Sequence, residues 1–97
     1  MLKISVVTRC ELFSGRNVDE TVLRRTLSVL EEVPLDRVTA EAAGRLRRTA
    51  DMALADALIA ACALEHDLSL MTRNVRHFER VPGLLLHHPD DGTPAGA

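Results

Sequence analysis

Met52-Ala53-Leu54-Ala55-Asp56-Ala57-Leu58-Ile59-Ala60-Ala61-Cys62-Ala63-Leu64, followed after three residues by Leu68-Ser69-Leu70-Met71-Thr72, is the stretch that decides the fold. The first segment is apolar on nearly every side of a helix and predicts a buried helix over roughly Ala53 to Glu65. The second is a short apolar run and predicts a strand. A buried helix feeding a short strand is the unit of an α/β protein, in which helices cover a mostly parallel sheet.

Toward the C-terminus, Val75 to Arg80 reads as a short helix, Pro82-Gly83 as a turn and Leu84-Leu85-Leu86 as a final strand. Residues 89–97, rich in Pro, Gly, Asp and Ala, read as a flexible tail. Toward the N-terminus, Ile4-Ser5-Val6-Val7-Thr8 reads as a strand. Thr8 then caps a helix through Phe13 that ends near Gly15. Asp19 caps a second helix, whose Leu23, Leu27 and Leu30 form one apolar stripe. Glu32-Val33-Pro34-Leu35 is at most an edge strand, because Pro34 cannot donate to a ladder. Asp36 caps the next helix, with Val38, Ala42 and Leu46 inward and Arg45, Arg47 and Arg48 toward solvent. The class is therefore α/β, a sandwich with a short, mostly parallel sheet.

The chain has 97 residues, 46% of them hydrophobic, which excludes wholesale disorder. No apolar run approaches the roughly 18–20 residues of a membrane span, and the opening residues carry no secretory leader, so the expected location is the cytoplasm. Fourteen acids against 12 bases do not indicate a globally basic nucleic-acid binder and leave a local basic face open. Phe13 and Phe78 are the only aromatic residues, so base stacking is a poor recognition mode. Cys10 and Cys62 have no metal-like spacing and receive no chemistry. His87 and His88 are adjacent on a strand and point to opposite faces, which argues against a shared zinc ion; His66 is likewise read as a surface residue.

In α/β sheets, sites lie outside the carboxyl ends of the strands, here the turns at Thr8–Glu11 and Thr72–Asn74. Asp56 breaks the apolar pattern of its helix. It is either a first-turn acid that complements the helix dipole or a carboxylate that needs a partner or a cation. Glu11 is either the closing acid of a Thr8-x-x-Glu11 capping box or a carboxylate at the sheet edge. Asn74 is a turn former or a further oxygen donor. Three oxygen-bearing side chains from separate elements suit Mg²⁺ or Mn²⁺ and phosphodiester chemistry. His77 lies near enough in sequence to Asn74 to touch substrate.

Asp56-Ala57-Leu58-Ile59-Ala60-Ala61, then Leu68 through Asn74, then Val75-Arg76-His77-Phe78-Glu79-Arg80-Val81-Pro82-Gly83-Leu84 resembles the C-terminal half of a PIN-domain toxin of the VapC type. Ile4 through Gly15 resembles the strand and helix that carry that family's second acid. The resemblance implies a PIN-like α/β/α sandwich over residues 1–88 and a Mg²⁺- or Mn²⁺-dependent endoribonuclease, held inactive by a VapB-type antitoxin. It implies Glu11, Asp56 and Asn74 as catalytic and metal-binding residues and Thr72 as the residue that orients the site. Arg73, Arg76 and His77 are the candidate RNA contacts. Family members also form homodimers.

The family opens with a strand ending in Asp and two helices that precede the segment beginning here at Leu2. The chain is thus expected to be N-terminally truncated, the C-terminal two-thirds of the family domain. Two carboxylates hold Mg²⁺ less strongly than three, so weak or absent nuclease activity is expected. The alternative function is a non-catalytic binding module that engages an antitoxin or RNA.

Overall fold

Residues 3–89 and 94–95 are described in a computed structural model of the chain. Strand β1 (Lys3–Ser5) passes directly into helix α1 (Val6–Phe13). Ser5 makes this junction, since its hydroxyl accepts the Thr8 backbone N–H at 3.0 Å and pairs with the Thr8 hydroxyl at 3.0 Å. The strand expected to reach Thr8 therefore ends three residues earlier, and Ser5, not Thr8, is the cap. Val6 and Val7 favour strands only where the pleat packs them; a cap at Ser5 leaves their amides at the helix start instead.

Helix α2 (Glu20–Leu27) starts at Asp19, whose carboxylate accepts the Val22 N–H at 3.2 Å. Its stripe buries Leu27 and half-buries Leu23 and Leu30. Strand β2 (Glu31–Val33) ends at Pro34 and runs parallel to β1, with Ile4 opposite Glu32. Parallel neighbours need a crossover, which α1 and α2 provide. Lys3 pairs with Glu31, and Arg9 with Glu32, on the surface of this sheet. These elements form one of two units, Met1–Leu35 and Asp36–Ala97.

The second unit opens with Asp36, whose carboxylate accepts the Thr39 N–H at 2.9 Å and caps helix α3 (Arg37–Thr49). Helix α3 packs along helix α4 (Leu54–Glu65). Thr39, Ala42 and Ala43 from α3 are buried, as are Ala57, Ala60 and Ala61 of α4. Small side chains let the two backbones approach, so the contact is made with little volume. Val38, expected inward, is 56% exposed. The inward stripe is rotated by one residue onto Thr39, because Ala42 and Ala43 both face the core and fix its centre between them.

Strand β3 (Leu70–Met71), helix α5 (Val75–Phe78) and strand β4 (Leu86–His87) follow. Gly83 takes φ +81° in the turn before β4, a conformation that favours glycine. Strands β3 and β4 are parallel, while β5 (Pro94–Ala95) is antiparallel to β4. The expected sheet is thus two short sheets, one of them mixed. Of the expected tail, residues 90–93, 96 and 97 lie outside the described residues. No described helix is long and apolar enough to cross a membrane.

Candidate active site

Ala53 has no side chain that can cap, so α4 begins without a side-chain cap bond and Asp56 stands in its first turn. That position satisfies the helix-dipole reading of Asp56. The carboxylate also has a neighbour from outside its helix. His77 Nδ1 lies 3.4 Å from Asp56 Oδ2, with the two side chains 57% and 29% exposed.

The backbone ahead of α5 carries His77 to that place. Thr72 closes a local turn by accepting the Asn74 N–H on its hydroxyl at 3.0 Å. The Asn74 carbonyl in turn accepts the His77 N–H at 3.1 Å. Phe78, next to His77, is buried and anchors the short helix. Thr72, Asn74 and His77 are therefore linked by two consecutive hydrogen bonds, and His77 ends beside Asp56.

Asp56 and His77 share an open cleft of about 100 Å³ with Asp51, Met52, Ala53 and Arg80. Asp51 sits between α3 and α4 at φ +52°, a left-handed conformation that Asp tolerates better than most residues. Arg80 Nη1 donates to the Ala50 carbonyl at 3.1 Å. Neither Asp51 nor Arg80 was marked as a site residue by the sequence. The only signal was nearness in sequence: Arg80 is three residues beyond His77.

The other expected residues of the second unit lie off the cleft lining. Arg73, Asn74 and Arg76 are exposed and Thr72 is half-buried, and none of them lines the cleft. Glu11 is exposed on α1 in the first unit. With Ser5 as the cap, Glu11 lies far from the first turn of α1, so the capping-box reading fails and the carboxylate has no capping duty. Cys62 is buried, and burial, then the negative charge of Asp36, pushes its thiol up, in keeping with an unreactive cysteine.

The PIN domain family matches residues 2–84. The chain is a PIN domain. Three solved structures are similar to it. A chain of a toxin–antitoxin complex from Klebsiella pneumoniae has 33% identity and a TM-score of 0.75, covering 84% of this chain and 70% of its own. VapBC from Salmonella typhimurium, bound to DNA, gives 27% identity and a TM-score of 0.78, over 89% and 74% of the two chains. VapBC2 from Rickettsia felis, bound to a promoter fragment, gives 26% identity and 0.76, over 89% and 73%. No curated protein matches by sequence.

PIN domains are in general divalent-metal-dependent nucleases, and the donor chemistry of this PIN domain can be set against that requirement. Among the described residues, no three His, Cys, Asp or Glu side chains stand close enough to hold a metal together. The described residues therefore build no closed cage of the zinc kind. The cleft offers an open set instead, with Asp56 as a carboxylate in a partly solvated wall. That suits a hard cation, which keeps several waters and takes one or two carboxylates with substrate phosphate.

Proposed function

We propose that this PIN domain is the nuclease toxin of a toxin–antitoxin pair and that it hydrolyses RNA phosphodiesters. The observation that carries the reading is the 33% identity to a chain of a toxin–antitoxin complex, extending over 84% of this chain. The polar Asp56–His77 cleft at the start of a largely apolar helix supports it.

In this reading Glu11, Asp56 and Asn74 hold Mg²⁺ or Mn²⁺, which when bound supplies Lewis acidity at the phosphate and lowers the cost of its developing charge. Asp56 contributes the carboxylate that the start of α4 holds in the cleft wall. Thr72 orients Asn74 through the turn it closes. Arg73, Arg76 and His77 contact the RNA, His77 from beside Asp56. The partner is an antitoxin of the VapB type, the chain pairs with a second copy, and the substrate is RNA in the cytoplasm. Because only two of these three donors are carboxylates, cleavage is expected to be slow.

RNA cleavage by the purified chain with Mg²⁺ or Mn²⁺, beside EDTA and Asp56→Ala controls, tests the reading. Cleavage lost in both controls is the expected result. A folded chain that never cleaves overturns the catalytic reading. It would favour the binding-module alternative, in which antitoxin or RNA is engaged without Glu11 and Asp56.

A further inference from the structure

Arg80 is a charged cleft residue to which the proposed reaction gives no role. It follows α5, lines the same cleft as Asp56 and His77, and is exposed. Its Nη1 donates to the carbonyl of Ala50, the C-cap of α3, where the negative end of a 13-residue helix favours a cation. That bond uses one of five guanidinium N–H donors and ties the head group to the α3–α4 loop. Asp51 and Asp56 line the cleft too, yet among the described residues Arg80 forms no ion pair with either.

A guanidinium anchored to backbone, unpaired with the carboxylates beside it, is a poor stabilising ion pair and a good anion site. Its charge is permanent, and its planar fork matches two oxygens of one phosphate. Without it, two carboxylates would repel a phosphodiester from the cleft. Stacking does not replace it, since the only aromatics are Phe13 and the buried Phe78.

We propose that Arg80 is a positioning residue that grips a backbone phosphate of single-stranded RNA and holds it beside Asp56. The proposal rests on the nuclease reading for its substrate class, and binding without turnover separates the two. Labelled single-stranded RNA is titrated with the full chain in EDTA at several salt concentrations. The variants are Arg80→Gln, which keeps an amide N–H for the Ala50 carbonyl but no charge, and Arg80→Lys, which keeps the charge without the fork.

Arg80→Gln is expected to make the negative slope of log affinity against log salt shallower by about 0.7, the loss of one phosphate contact on a single strand. Affinity should fall roughly tenfold. Arg80→Lys should restore the slope and only part of the affinity. In cleavage, Arg80→Gln should raise KM more than it lowers kcat. No RNA binding by the wild-type chain, an unchanged slope and affinity in Arg80→Gln, or Arg80-dependent capture of an acidic peptide instead of RNA overturns the proposal. Arg80-dependent RNA binding with no metal-dependent cleavage supports Arg80 as a phosphate ligand while overturning the nuclease reading.

Discussion

Asp56→Asn separates the two duties that the carboxylate has at the start of α4. The amide keeps the shape of the side chain and loses the charge. What the charge contributes to stability is bounded by its surroundings. A first-turn acid is worth about 0.3–1 kcal/mol against the helix dipole. The contact with His77 is 3.4 Å long, but the side chains are 57% and 29% exposed, and it is ionic only when His77 is protonated. Screening at that exposure leaves about 0–1 kcal/mol. The expected destabilisation is therefore about 1 kcal/mol, a fall in melting midpoint of about 4–8 °C for a chain of this size.

The effect on chemistry is expected to be much larger, a loss of at least about a hundredfold in cleavage rate, the scale seen when a group that stabilises transition-state charge is removed. Far-UV circular dichroism melts and initial rates on labelled RNA with Mg²⁺ or Mn²⁺ read the two quantities on one preparation. Wild-type cleavage in a variant whose melt has shifted would refute the site and leave Asp56 a helix-start residue alone. A loss of 3 kcal/mol or more, beyond what exposed charge interactions supply, would refute the energetic argument instead.

Three further outcomes follow from the packing and the titrating groups. The hydrogen bond from the Thr39 backbone N–H holds the Asp36 carboxyl below its usual value of 3.8. Asp36 thus stabilises the native state fully above about pH 4, and that contribution is lost as pH falls through the lowered value; urea midpoints should drop on acidification, and less so in Asp36→Asn. Ala61→Leu inserts volume where a side chain is 0% exposed and should cost about 1–3 kcal/mol in urea unfolding, whereas Leu54→Ala at 55% exposed should stay within about 0.5 kcal/mol. Of the two free thiols, exposed Cys10 should react with a disulfide reagent at once and buried Cys62 only on unfolding, read as two phases of unequal rate.

Helix starts were legible where one acidic residue competes for the cap. Asp19 and Asp36 each bond an amide three residues on, a signal wholly local to the sequence. The start of α1 was misplaced because Ser5 and Thr8 are both good caps, and the β-branched Val6-Val7 between them argued for strand. The α3 stripe was misplaced by one residue because Val38 is more apolar than Thr39, while the tight fit between α3 and α4 favours alanine positions over large side chains. Strands β3 and β4 were found but overlong, since pairing partners, not the apolar run, set where a ladder stops.

The candidate site was legible in proportion to how far each residue departs from its local background. Asp56 stands out because every neighbour on α4 is apolar, and the structure gives it a partner, His77. Asp51 and Arg80 do not stand out, because a charged residue in a solvated turn is what any surface carries. They come to notice only when the fold places them in the lining of one cleft with Asp56. The cleft is built from the ends of elements: Asp51 follows α3, Ala53 and Asp56 open α4, and His77 and Arg80 lie at and beyond the end of α5. The middle of α4, with Ala57, Ala60 and Ala61 buried without space to spare, fixes those ends in place. Substitution in that middle should therefore disturb the chemistry only through unfolding, whereas substitution at the ends can alter substrate handling while the fold persists.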